Sequence, residues 1–127
     1  MSLSIAEHIN KTLSAYGMLV SKVGNRLYPV SVRSEVDLPF IVYERENIQP
    51  KSSKDGTFGD YVTVNVYVFA EAYKDAVDIA EMVRDALDGS SGKYASFEVD
   101  ECNFADAVES YDEGIYLEQL VFNITTL

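Results

Sequence analysis

Four valines at every second position, Val62, Val64, Val66 and Val68, constrain this chain more than any other feature. They are interleaved with Tyr61, Thr63, Asn65, Tyr67 and Phe69. Side chains alternate across a strand with period two, and β-branched residues pack well on a pleated surface. The run therefore predicts a strand with one face deeply buried. Its other face is amphipathic, not plainly polar, which argues for cover there too. A second strand, led by Pro39, is expected over Phe40–Glu46. Residues 50–60, with Pro50, Ser52, Ser53, Gly56 and Gly59, read as a long polar loop between the two.

Two amphipathic helices flank these strands. Ser4 to Glu7 has the form of a capping box, and Ile5, Ile9, Leu13 and Tyr16 follow on one stripe, with Gly17 placed to end the helix. From Tyr73 to Asp88, the residues Tyr73, Ala76, Val77, Ala80, Val83 and Leu87 form a second stripe, closed by Gly89. Met18–Val23 reads equally as a helical turn or the lead-in to a strand. Arg26–Val30 reads as a short extended edge, because Pro29 lacks a ladder donor. Alternation returns in Lys93–Val99 and in Ile115–Leu127, where Glu118 interrupts an otherwise apolar face. Consecutive strands joined by loops favour antiparallel pairing. The expected fold is a single α+β domain over residues 1–127. It should hold a mainly antiparallel sheet of about four to five strands with two helices packed on one face.

No catalytic pattern stands out. His8, the only histidine, has no motif around it and is expected on the surface or flank of the first helix. Cys102, the only cysteine, lies among carboxylates that disfavour a thiolate and reads as a structural thiol. It excludes an intrachain disulfide and cysteine-ligated zinc. No cofactor fingerprint is present: Gly89–Gly92 follows a helix instead of opening one, the wrong order for cradling phosphate. No apolar run approaches the roughly 20 residues that span a bilayer, and no signal peptide is visible at Met1, so the chain is expected to be soluble and intracellular where it is made.

The net charge of −11 is one-sided. Residues 1–70 carry seven acids and seven bases, whereas residues 71–127 carry fourteen acids against Lys74, Arg84 and Lys93. Such a surface repels phosphate and does not grip nucleic acid by counterion release. Glu98, Asp100, Glu101, Asp106, Glu109, Asp112 and Glu113 crowd into sixteen residues without one base. Paired carboxylates of this kind suit glycosidic acid/base work or calcium, but the spacing is not that of an EF-hand and no tryptophan offers a sugar platform. A solvated connection between strands is the simpler reading.

The order of segments resembles the tail completion or tail terminator proteins of long-tailed bacteriophages and prophages, in particular the group that joins tail to head in siphophages. The residues that carry the resemblance are Leu13–Gly17, Asn25–Pro29, Leu38–Tyr43, Val62–Ala70 running into Val83–Gly89, Tyr111, and Leu120–Ile124. It implies a non-enzymatic virion protein without cofactor. Such proteins cap the head-proximal end of the tail tube as a ring, usually a hexamer, and contact the tube protein and the head connector. They assemble in the bacterial host cytoplasm and end in the virion tail. DNA passes through the ring without specific binding. The resemblance further implies that Asp100, Glu101, Asp106, Glu109, Asp112 and Glu113 are candidates to face that lumen. The loop carrying Lys51, Lys54, Asp55 and Phe58 is a candidate to order on the tube or a neighbouring subunit. The edge at Leu27–Val32 and the face of Tyr61, Tyr67 and Phe69 are candidates for the contact between copies. Another head–tail neck connector, or a small acidic cytoplasmic binding module with calcium, are the alternative readings.

Overall fold

The computed structural model describes residues 2–32, 35–53 and 56–127. A short 3-10 turn, Ser2–Ser4, leads into α1 (Ala6–Ser14) and α2 (Gly17–Val23). The remaining elements are β1 (Leu27–Pro29), β2 (Phe40–Ser53), β3 (Gly56–Ala70), α3 (Tyr73–Leu87), β4 (Gly92–Lys93), β5 (Glu98–Asp112) and β6 (Ile115–Thr126). They form one six-stranded sheet in the order β1-β2-β3-β6-β5-β4. All neighbours are antiparallel except β1, which runs parallel to β2 at the edge, where Pro29 is tolerated. The α+β class and the single helical layer agree with expectation. The strand count of four to five and the helix count of two are both too low.

The core lies between one sheet face and the helices. Val62, Val64, Val66 and Val68 are at most 1% exposed, and Ile41, Tyr43, Leu120, Phe122 and Ile124 flank them on the same face. Ile9 and Leu13 of α1, Leu19 and Val23 of α2, and Ile79, Val83 and Leu87 of α3 pack on top. This continuous apolar layer supplies the main driving force for folding.

Several local expectations fail. Ser4 cannot cap α1, because it lies in the 3-10 turn and Ile5 already has helical dihedrals at the cap position. Gly17 does not close α1 but opens α2: Tyr16 is extended (φ −89°, ψ 98°) and breaks the helix one residue earlier. That break lets Leu19 and Val23 join Ile9 and Leu13 in the core. Residues 50–53 and 56–60, read as loop, are strand. β2 and β3 stay paired from Phe40↔Phe69 out to Ser53↔Gly56, with bulges between Arg45 and Asn47 and between Pro50 and Ser52. Of the expected strand over Lys93–Val99 only Lys93, in β4, and Glu98 and Val99, at the start of β5, are in strands, and the acidic stretch expected as a connection is itself strand β5.

Candidate functional site

Two long hairpins dominate the molecule. β2, β3, β5 and β6 are 14, 15, 15 and 12 residues long, two to three times the usual length of about 5–6. The pairings Tyr61↔Thr125 and Ala70↔Tyr116 put the two hairpin tips at opposite ends of the sheet. The β2–β3 arm carries Lys51 and Phe58. The Lys51 ammonium lies 5.8 Å from the Phe58 ring centroid and 5.6 Å from that of Tyr61. Lys54 and Asp55, expected in the same group, lie outside the described residues.

The β5–β6 arm turns through Glu113 and Gly114, both at positive φ (47° and 85°), the geometry of a two-residue hairpin loop. Beyond Phe104, every residue of β5 is exposed. The register divides the candidate acids. Asp106 pairs with Val121 and Asp112 with Ile115 on the face away from the helices. Asp100 and Glu101 are exposed at the start of β5, and Glu113 is at the tip. Glu109 faces the helix side, directly across from Glu118. Among the described residues, no group of three or more His, Cys, Asp or Glu is placed to hold a metal ion.

Among the described residues, no helix lies on the sheet face opposite the core. Tyr67 donates to Glu44 at 2.6 Å, Asn65 to Glu46 at 3.3 Å and Gln119 to Asn65 at 3.4 Å, a polar row across three strands. Beside it the Phe40 and Phe69 rings stack at 4.8 Å, with Tyr28 edge-on to Phe40 at 6.3 Å. Val30, Ser31 and Val32 line the groove above Phe40, Val42, Tyr67 and Phe69, so the edge named from sequence adjoins Tyr67 and Phe69 of the mixed face, whereas Tyr61 lies at the other end of β3 beside Lys51.

His8 corrects the sequence reading. It is fully buried, not on a helix flank. Its Nδ1 meets the Tyr94 hydroxyl at 2.7 Å and its Nε2 meets Ser90 Oγ at 2.9 Å, tying α1 to the segment after α3. Burial, and then the charge of Lys11, lower its pKa to about 4, so the ring is neutral at pH 7. Ser90 Oγ already donates to the Leu87 carbonyl at 2.6 Å, so it accepts from Nε2–H, and the Tyr94 hydroxyl donates to Nδ1 of the neutral ring. Cys102 is buried as well, and burial pushes its thiol up to about 12, as expected of a structural thiol.

Sequence reasoning missed the Glu109–Glu118 pair. Partial burial, then the hydrogen bond and charge of Glu109, raise the pKa of Glu118 to about 7. Tyr73, at the start of α3, donates to Glu109 at 3.0 Å. Between about pH 4.5 and 7 the folded state keeps a proton that the unfolded chain has released. The stability this adds is complete below that window and is lost as pH rises through it. His8 acts in the opposite sense, losing stability as pH falls from about 6.5 to about 4. Glu118→Gln removes the repulsion, and Gln can still hydrogen-bond Glu109. We expect it to stabilise the protein by about 1 kcal/mol at about pH 8, a figure discounted for solvent screening, and to change nothing near pH 4. Urea midpoints at the two pH values check this; equal effects at both would remove the pair as the cause.

The described residues thus form a sheet with its helices packed on one face and two long hairpins at its opposite ends. The model of the family described as tail completion protein gp17 matches residues 9–127, so the chain belongs to that family. As a member of it, the chain is a structural protein of a phage tail, not an enzyme. A chain in the structure titled "Virion of native gene transfer agent (GTA) particle" shares the fold, with a TM-score of 0.83 at 21% identity. The match covers 93% of this chain and 90% of that one. No curated protein matches the sequence. No helix among the described residues is long and apolar enough to cross a membrane.

Proposed function

We propose that this protein closes the head-proximal end of the tail tube as a ring, commonly a hexamer, and presents a surface to the head connector. The observation that carries the reading is the family match over residues 9–127. The geometry supports it. Ring closure is a heterologous contact and needs two different patches on each subunit. The face away from the helices, with its half-buried Tyr28–Phe40–Phe69 rings, is one such patch, and the β2–β3 arm with Lys51 and Phe58 is another. The arm would order on the tube or on the next copy. Micrographs of tails made without the protein test this reading: tubes of uncontrolled length, unjoined to heads, are the expected result. Tails of normal length joined to heads would overturn it.

Within that ring, exposed carboxylates at Asp100, Glu101, Asp106, Asp112 and Glu113 would line the path of DNA. Fixed negative charge keeps phosphate hydrated and mobile instead of adsorbed. Glu109, held by Tyr73 and facing Glu118, would contribute less than its neighbours. Asp106→Lys with Asp112→Lys is expected to leave particles assembled and to slow DNA release, read as the rate of genome ejection. Unchanged ejection would remove these two acids from the lumen.

A further inference from the structure

The second arm holds a small open pocket beside the candidate lumen acids. Its walls are Tyr73 of α3, Tyr111 of β5 and Tyr116 of β6, with Glu109 and Ser110 completing the lining. The Tyr116 ring centroid is 5.7 Å from that of Tyr73, with the planes at 68°, and 4.7 Å from that of Tyr111, with the planes at 53°. Three non-parallel rings thus converge on one space of about 240 Å³. Drug-sized ligands use pockets of roughly 300 Å³ and above, so this one suits a single side chain. Tyr73 and Tyr111 are 50% and 59% exposed, which leaves ring surface for an incoming group.

The geometry points to a lysine or arginine side chain, carried by an adjacent virion protein, as the occupant of this pocket. Ring faces carry the negative part of the aromatic quadrupole and attract an ammonium or guanidinium within about 6 Å. Glu109 adds a carboxylate on the wall, and Glu118 stands directly across the strand from it. An arriving cation relieves the repulsion between those two. The nearby bases of this chain are engaged elsewhere. Lys74, next to Tyr73, is paired with Asp78 at 2.7 Å, and the Arg84 guanidinium lies 4.1 Å over the Phe104 ring. No base occurs after Lys93 in the sequence. The cation must therefore come from another molecule, which requires only that the chain be packed among other virion proteins.

Titration of the full chain with Nα-acetyl-lysine methylamide, Nα-acetyl-arginine methylamide and the uncharged norleucine analogue tests this, followed by NMR of the tyrosine rings. The expected result is saturable shifts at Tyr73, Tyr111 and Tyr116 with both cations, at affinities on the order of millimolar, and none with norleucine. Tyr111→Ala, at an exposed position near the hairpin tip, should weaken the affinity about fivefold. Rings unmoved by both cations, equal shifts with norleucine, or an unchanged affinity in Tyr111→Ala would each overturn the assignment. Any of those outcomes leaves the tail-length experiment, and the reading it tests, standing.

Discussion

Phe122→Ala is expected to cost 3–5 kcal/mol, a large share of the roughly 5–15 kcal/mol by which a domain of this size is stable. Phe122 is fully buried and is the largest side chain in the core that is. It sits on β6 between Val64 of β3 and Phe104 of β5, so its ring bridges the central and outer halves of the sheet. Phe104 meets it edge-on at 5.9 Å and is in turn covered by Arg84 of α3. Truncation would remove apolar burial, leave a cavity that three elements cannot all collapse into, and undo this stack. Guanidinium unfolding followed by circular dichroism checks it: the midpoint should fall with little change in slope. Phe104→Ala, at a half-buried ring, should cost clearly less. A loss at Phe122 below about 1 kcal/mol would mean that the sheet and α3 are held together by something other than this layer.

The residues that carry this core were the ones the sequence displayed most openly. β3 and α3 advertise themselves because each has one wet and one dry side, and a two-sided element writes its period into its residues. The β2–β3 arm does not. Pro50, Ser52, Ser53 and Gly56 have the composition of a loop, yet Pro50 sits at a bulge, where its missing donor matters little. β5 hides for a different reason. Beyond Phe104 both of its faces are exposed, so no apolar alternation is required of it, and a run of acids reads as a connection. His8 and the Glu109–Glu118 pair were illegible because their partners are remote. Tyr94 and Ser90 lie more than 80 positions from His8, and Glu109 meets Glu118 only through the register of β5 on β6. The family resemblance, carried by the order of segments, reached the tail role that local chemistry could not.

Gly59→Ala is expected to be as damaging as a core truncation, although Gly59 looked like a loop glycine. It lies in β3 at the root of the first arm, with φ at +130°, a region that side chains rarely adopt. Strain of that kind costs about 1–3 kcal/mol. The space is closed as well. A Cβ here would land on the carbonyl oxygen of Thr126, with the Lys51 side chain also close at 3.0 Å. Thr126 cannot yield cheaply. Its Oγ1 accepts the Asp60 amide at 3.0 Å and pairs with Ser2 Oγ at 2.5 Å, so it joins the start of the chain, the arm root and the end of β6. We therefore expect a total loss of at least about 3 kcal/mol, together with faster amide exchange at Asp60 and Leu127. Gly56→Ala separates the two causes. Gly56 also has a positive φ (+113°), but a Cβ there meets nothing within 4 Å, so it should show the strain alone. If the two alanine variants unfold at the same midpoint, the close approach of Gly59 to Thr126 contributes nothing, and the arm is anchored by its ladder pairing.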